Sequence, residues 1–263
     1  MTRPLVVKIG GRVAAEPAAL LDDIACHDGP VVLVHGGGTA IDELAGQLAV
    51  PVTRYESAGG MTSRATDAAT LDVVQMALTG RVKPALVGGL LARGVRAVGV
   101  TGMDGGVVRA RRKTGLRIRE NGRVRVVRDD LTGRIVEISP ELLTVLLLAG
   151  YIPVLSPPVW GEEGPLNVDA DRLAAAVAAA VDAHTLVVLT DRPGVLRDPA
   201  DPASVMSTVD SDDGVTGGMR QKLLAGREAL DAGVDRVVIS DGLRTGPLRA
   251  ALAGAGTALR AAS

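Results

Sequence analysis

Aromatic side chains are almost missing from this chain: its 263 residues include no Phe, one Trp and two Tyr. The core is therefore aliphatic, and stacking on nucleobases or anchoring in a membrane interface through aromatic belts is largely excluded. One cysteine, Cys26, forms no internal disulfide, and the three histidines at 27, 35 and 184 are too scattered to make a metal cluster. No apolar run approaches the roughly 20 residues of a membrane span, and no signal-peptide apolar segment opens the chain, so a cytoplasmic protein is expected. Familiar motifs are absent too. There is no G-x-x-x-x-G-K-S/T phosphate loop, no G-x-G-x-x-G dinucleotide fingerprint and no G-x-S-x-G nucleophile elbow. Covalent catalysis has no good candidate.

What is present is a large aliphatic complement. Hydrophobic residues make up 47% and charged ones 22%, enough for one large α/β domain or two tightly joined lobes. The net charge is −1, but residues 109–128 hold nine Arg or Lys against one acid, Glu120. That segment carries +8, leaving −9 for the remainder. Such a patch can steer an acidic partner; nucleic acid is a second partner for any basic patch, but no nucleic-acid motif accompanies it.

Val31-Val32-Leu33-Val34 reads as a strand buried on both faces, the kind found inside a parallel sheet. His35-Gly36-Gly37-Gly38 follows, and Ile41–Leu48 then shows helical spacing. The glycines thus lie between a strand end and a helix N-terminus, where bare N–H groups and the helix dipole favour an anion. Leu5–Ile9 is a second aliphatic strand and ends in another such loop, Lys8-Ile9-Gly10-Gly11.

The rest of the chain mostly alternates. Helices are expected near 17–26, 40–49, 82–92, 140–149, 169–181 and 218–232, with a further one capped by Thr66 and Asp67 and running to Leu78. Strands are expected at 95–100, 152–155, 185–190 and 236–240, and a polar loop over 56–64. Between Val107 and Val127 the pattern alternates instead, and Asn121-Gly122 signals a hairpin pairing Leu116–Glu120 with Arg123–Val127. Strands alternating with helices imply a mostly parallel sheet covered on both faces. Ser156-Pro157-Pro158 is the best boundary between two lobes, 1–156 and 157–263.

Candidate chemistry gathers at strand ends, where open α/β sheets bind ligands. Lys8 sits beside a glycine turn. Asn167, Asp169 and Asp171 precede or enter an alanine-rich helix; one of them serves as its cap, and an Asp here can orient two lysines or help hold Mg²⁺ and phosphate. Thr216-Gly217-Gly218-Met219-Arg220-Gln221-Lys222 enters another helix with a lysine in its first turns, which calls for an anion nearby. Thr190-Asp191-Arg192-Pro193-Gly194-Val195-Leu196 ends a strand in a turn that suits a nucleotide or nothing at all. Lysines, glycine loops and carboxylates together suit phosphoryl transfer, which depends mainly on positioning and charge stabilisation.

Five ordered motifs make the chain resemble the amino-acid kinase family, over essentially its whole length. They are Lys8-Ile9-Gly10-Gly11, Val34-His35-Gly36-Gly37-Gly38, Arg64-Ala65-Thr66-Asp67, Asn167-Val168-Asp169-Ala170-Asp171 and Gly217-Gly218-Met219-Arg220-Gln221-Lys222. Within that family it looks like the N-acetylglutamate kinase branch. Ala58-Gly59-Gly60-Met61-Thr62-Ser63-Arg64, Arg111-Arg112-Lys113-Thr114 and Glu120-Asn121-Gly122-Arg123-Val124 are similar to the sub-branch acting on substrates linked to a LysW-type carrier protein. Asp169 stands where many acetylglutamate kinases have a second Asn, and the usual leucine and valine around Arg64 are lost; both departures fit the carrier-linked sub-branch better.

The resemblance implies a three-layer αβα sandwich plus an inserted basic hairpin, a homodimer, and ATP with Mg²⁺ carried by the nucleotide rather than by a protein metal site. It implies that Lys8 and Lys222 stabilise the transferring phosphoryl group and that Asp171 orients them. Gly11, Gly36, Gly37, Gly38, Arg64 and Asn167 would bind the acceptor. Gly10, Thr190, Asp191, Gly194, Leu196, Gly217 and Met219, with both lysines, would line the nucleotide site. Arg111, Arg112, Lys113, Arg117, Arg119, Arg123 and Arg125 would meet an acidic carrier. The activity implied is phosphorylation of the side-chain carboxylate of carrier-linked aminoadipate or glutamate to an acyl phosphate. Its rivals are N-acetylglutamate kinase, for which no extra helix before Pro4 marks an arginine-sensitive form, and a non-catalytic nucleotide-binding regulator, against which the intact Lys8, Asp171 and Lys222 argue.

Overall fold

The computed structural model describes residues 2–57, 62–120, 123–210 and 214–260. Ala58–Met61 and the Asn121-Gly122 turn therefore lie outside the described residues. The chain opens with β1 (Leu5–Ile9), followed by α1 (Gly11–Ala15) and α2 (Ala18–Ala25). β2 (Val31–His35) passes through the glycine run into α3 (Gly38–Gln47), which starts earlier than its apolar spacing predicts because the last glycine already has helical backbone. All ten residues of β1 and β2 are buried, as a strand covered on both faces requires.

The polar loop expected over 56–64 is instead a strand pair, β3 (Arg54–Ser57) and β4 (Thr62–Arg64), joined antiparallel through Arg54↔Arg64 and Tyr55↔Ser63. Tyr55 is buried there, one apolar anchor in an otherwise polar stretch, so no hydrophobic alternation announces the strands. α4 (Ala68–Ala77) is capped by Asp67, which accepts the Thr70 N–H at 2.8 Å. A π-helical turn, Leu78–Val82, runs on into α5 (Lys83–Leu91).

β5 (Ala97–Gly102) precedes a group of strands, β6 (Val108–Arg112), β7 (Leu116–Glu120), β8 (Arg123–Val127) and β9 (Gly133–Ile138). β7 and β8 pair antiparallel, Leu116↔Val127 through Glu120↔Arg123, and β7 also pairs with β3. β9 was not anticipated; it pairs antiparallel with β6 across a register shift at Arg109/Ala110, which blurs the period-two pattern.

α6 (Glu141–Leu148) leads to β10 (Ile152–Gly161), which continues through Pro157-Pro158. The two prolines fall where the ladder changes partner. β10 pairs with β5 as far as Ser156↔Thr101 and with β6 from Trp160↔Arg109, so the missing N–H groups interrupt neither run. β11 (Gly164–Leu166), α7 (Ala170–Ala180), β12 (Thr185–Thr190), β13 (Thr208–Val209), α8 (Gly217–Asp231), β14 (Arg236–Asp241), α9 (Pro247–Leu252) and β15 (Thr257–Leu259) complete the fold.

The main sheet has the order β13-β15-β14-β12-β1-β2-β10-β6-β9, with β5 and β11 also on β10. Its centre, β14-β12-β1-β2-β10, is parallel throughout. One face buries Val6, Val34, Leu155, Leu173 and Leu223 under α6, α7 and α8; the other buries Val7, Leu33, Leu20, Leu86 and Leu248 under the remaining helices. The fold is thus a mixed, mostly parallel sheet flanked by helices. Its parallel centre brings the C-terminal ends of β1, β2 and β12 to one edge, beside the N-termini of α7 and α8. Among the described residues, no helix is long and apolar enough to cross a membrane.

Candidate active site

At that edge the structure brings together three charged side chains from distant parts of the chain. Lys8, next to last in β1, places Nζ 2.5 Å from Asp171 Oδ1, and Lys222, in the second turn of α8, places Nζ 3.1 Å from Asp171 Oδ2. Lys8 and Asp171 are both buried, while Lys222 keeps its side chain 18% exposed. Burial pushes the Lys8 ammonium below its ordinary value, an effect that Asp171 opposes and Lys222 adds to. Burial alone would raise the Asp171 carboxyl, but Lys8 and then Lys222 outweigh it and hold it below the usual carboxylate range. The cationic residue near the start of α8 is thus compensated by an anion, as its position demands.

The three polar residues entering α7 divide their tasks. Asp169 is the cap, accepting the Arg172 N–H at 2.9 Å; Asp171 holds the lysines. Asn167 turns toward Thr66, donating from Nδ2 to Oγ1 at 3.3 Å.

The glycine loops pack tightly round this cluster. A Cβ on Gly10 would lie 3.1 Å from Lys8 Nζ, and one on Gly36 3.4 Å from the Ala170 Cβ at the start of α7. A Cβ on Gly37 would lie 2.7 Å from Leu78 and 3.1 Å from Val82, so the π-helical turn beneath leaves room only for glycine. Gly11 and Gly38 open α1 and α3. His35, just before the loop, is wholly buried; its Nδ1 lies 3.0 Å from Gly36 O, and its Nε2 has no hydrogen-bond partner among the described residues. Burial lowers its pKa to about 4, so the ring is neutral.

Arg64 reaches the same edge from β4. Its Nη1 lies 2.5 Å from Asp42 Oδ1 and its Nη2 3.5 Å from Gly38 O, which places the guanidinium at the start of α3. Asp42 is a partner that sequence reading did not single out; it falls at the fifth position of an amphipathic helix, where an acid reads as solvated surface. Of the turn after β12, Thr190 is buried and bonds Asp191 through its hydroxyl at 3.2 Å. Gly194 packs against Thr257, whose Oγ1 would lie 2.7 Å from a Cβ there, and Leu196 bridges to Val205. Gly217, with φ 61°, opens α8, and Met219 packs against the core beneath it.

Of the basic residues whose side chains are described, Arg111 and Arg112 line one cavity, of about 620 Å³, with Leu71, Arg128 and Glu163. Lys113 lines another, of about 310 Å³, with Arg134, Asp169, Arg172 and Glu228. Arg112 is largely engaged, donating to the main-chain oxygens of Asp130 at 2.9 Å and Arg128 at 3.2 Å. Burial lowers the Lys113 pKa. Arg117 and Arg119 lie on β7, Arg123 and Arg125 on β8; their side chains are outside what the structure describes. Among the described residues no group of three His, Cys, Asp or Glu side chains could hold a metal ion.

Two ammonium groups held by one carboxylate, beside glycine loops that open α1 and α3, can receive charge on a phosphoryl group in transfer. The class is that of a kinase. The sequence profile of the amino acid kinase family matches residues 3–241. A LysW-aminoadipate kinase from Deinococcus radiodurans is 39% identical over 263 aligned residues, covering 96% of this chain and 90% of that protein. An acetylglutamate kinase from Symbiobacterium thermophilum is also 39% identical, covering 91% of this chain and 84% of that protein. The solved structure of smu.665 from Streptococcus mutans matches with a TM-score of 0.76 at 26% identity, covering 99% of this chain and all of that one. The chain belongs to the amino acid kinase family.

Proposed function

We propose that this protein is an ATP-dependent kinase acting on a carrier-linked amino acid, α-aminoadipate or glutamate. The acceptor's α-amino group is joined to the C-terminal glutamate of an acidic, LysW-type carrier protein, and its side-chain carboxylate becomes an acyl phosphate. The observation that carries the chemistry is the Lys8–Asp171–Lys222 cluster at the strand ends. The near full-length relative from Deinococcus radiodurans, with the excess of basic residues in 109–128, supports the carrier-linked acceptor.

In this reading residues 1–156 form the acceptor lobe, which Asn167 joins from the other lobe, and residues 157–263 form the nucleotide lobe, whose phosphoryl end meets Lys8 and Gly10. Lys8 and Lys222 neutralise the γ-phosphoryl oxygens while Asp171 fixes their separation. Space for the phosphoryl beside Lys8 depends on Gly10, since a Cβ there would crowd the Lys8 ammonium. Gly11, Gly37 and Gly38 supply N–H donors, and Arg64 and Asn167 bind the carboxylate-bearing end of the acceptor. Thr190, Asp191, Gly194, Leu196, Gly217 and Met219 surround the nucleotide, and Mg²⁺ arrives with it. The acceptor carboxylate oxygen bonds to the γ-phosphorus as the bond to the β-phosphate oxygen breaks, so no proton need be transferred and no general base is required. The assembly is a homodimer in the cytoplasm; Val145, Leu148 and Trp160 are exposed apolar groups open to such a contact.

A second reading, N-acetylglutamate kinase, is favoured by the equally identical acetylglutamate relative. A hydroxamate assay with ATP and Mg²⁺ separates the two. Turnover of carrier-linked aminoadipate or glutamate, with little on free N-acetylglutamate, is the expected result; efficient turnover of free N-acetylglutamate overturns the carrier reading.

A further inference from the structure

Asp130 is one of three buried carboxylates among the described residues, with Asp23 and Asp171, and it lies outside the lysine cluster. Its two oxygens are taken up entirely by the acceptor side of the site. Oδ2 accepts the Thr66 N–H at 2.9 Å and the Tyr55 hydroxyl at 3.2 Å, and Oδ1 accepts the Thr132 N–H at 2.8 Å. The segments it joins carry Arg64 on one side and Asn167 on the other. Thr66 Oγ1 donates to Arg64 O at 3.3 Å and accepts from Asn167 Nδ2 at 3.3 Å. Leu131 N–H donates to Thr66 O at 2.7 Å, Asn167 N–H to Leu131 O at 3.0 Å, and Gly133 N–H to Asn167 O at 2.7 Å. Among the described residues, the carboxylate is the charged link in this set; the others are these main-chain bonds and the Asn167–Thr66 side-chain bond. Burial and Asp130 together raise the Tyr55 phenol pKa, so that hydroxyl stays a donor.

We propose that Asp130 is a positioning residue for the acceptor: its buried carboxylate sets the separation of Arg64 and Asn167. This rests on the assignment of those two residues to the acceptor. It touches neither nucleotide nor phosphoryl group, since no residue of the Lys8–Asp171–Lys222 cluster is among its partners. It is also tied to the basic strand, because the guanidinium of Arg112 holds its main-chain oxygen.

The test is a comparison of Asp130→Asn and Tyr55→Phe with the parent protein. Asn preserves the shape but can accept on one side only, leaving an NH₂ against Thr66 or Thr132. The expected result for Asp130→Asn is an acceptor KM raised about ten-fold or more, with the ATP KM changed less than about two-fold, as misplacement of one binding half predicts. Tyr55→Phe removes one donor and keeps both main-chain bonds, so a smaller rise in acceptor KM is expected, again without an ATP effect. KM values are measured on whichever of carrier-linked aminoadipate, carrier-linked glutamate or N-acetylglutamate the parent phosphorylates. Failure of the carrier reading then shows in the parent, and failure of this proposal in the ratio. An unchanged acceptor KM in Asp130→Asn, or equal rises for acceptor and ATP, overturns it. If Asp130→Asn does not fold, an unchanged acceptor KM in Tyr55→Phe does so.

Discussion

Lys8 and Lys222 share one carboxylate, each on its own oxygen of Asp171. The lysines come from a central strand and from a helix near the other end of the chain, so the cluster exists only in the folded protein. Two ammonium groups this close repel, and Lys8 is buried as well. The carboxylate between them opposes that repulsion and fixes both ammonium groups beside one another, the arrangement that the proposed phosphoryl transfer uses.

Asp171→Asn should therefore damage both stability and turnover. Removing one partner of a buried ion pair costs about 3–5 kcal/mol, because the remaining charge is left uncompensated. The Asp171 carboxyl lies below its unfolded value, so its stabilisation is present above the ordinary carboxylate range and is lost as pH falls through the folded pKa. Denaturant unfolding should show lower stability at neutral pH and a shallower acid-side loss in the variant. Turnover should fall by about 100-fold or more, as when a preorganised transition-state contact is lost. Parent-like turnover in a folded Asp171→Asn protein would remove the cluster from the chemistry.

Gly37→Ala tests the glycine loop rather than the charges. The added methyl would lie 2.7 Å from Leu78 and 3.1 Å from Val82, both buried in the π-helical turn. Overpacking of this kind costs about 1–3 kcal/mol, and here relief has to come from the loop, because the side chains below are enclosed. The melting temperature should drop and kcat should drop with it, whereas Gly38→Ala, with open space at its Cβ, should leave stability unchanged. Equal melting temperatures for the two variants would contradict the packing argument.

How much of this could be read in the sequence depended on whether a signal was local. The strands Leu5–Ile9 and Thr185–Thr190 were legible because double burial writes an unbroken aliphatic run. The Asp67 cap and the helix it begins were legible through N-cap chemistry. Lys8, Asp171 and Lys222 each stood beside a glycine turn or helix start, so all three were legible as candidates, and the structure brings them together. β9, an antiparallel strand at the sheet edge, and β15, three residues held between β14 and β13, were not legible, since cross-strand pairing decides their state. Asp42 and Asp130 were hidden for a similar reason. An acid on a helix face or in an Asp-Asp turn has the same local pattern whether it is solvated or bonded across the fold.

The neutral, buried His35 makes a pH prediction with a definite sign. Its folded pKa is about 4, so between that value and the unfolded value of roughly 6.5 the unfolded chain binds a proton that the folded one does not. Stability should fall as pH drops through this window, His35 accounting for up to about 3 kcal/mol of the loss. The His35→Gln variant carries no titrating ring. Unfolding free energies measured from pH 4 to 7 should therefore converge for the two proteins toward acid pH, and parallel curves would show that His35 titrates normally in the fold.

The carrier reading makes a prediction about salt. Association steered by opposite charge weakens as the Debye length shrinks from about 10 Å at 0.1 M to about 3 Å at 1 M, while binding of a small acceptor in a buried pocket is screened far less. The kcat/KM for a carrier-linked acceptor should thus fall steeply with added salt, mainly through KM. Arg111→Glu gives an independent handle, because Arg111 is exposed and has no ion pair among the described residues, unlike Arg109, which is paired with Glu137 at 2.8 Å. Reversal there should lower kcat/KM for the carrier-linked acceptor about ten-fold at low salt and much less at high salt, leaving the ATP KM and the melting temperature unchanged. A salt-insensitive kcat/KM, with Arg111→Glu equal to the parent at low ionic strength, would mean that this part of the basic segment faces no acidic partner.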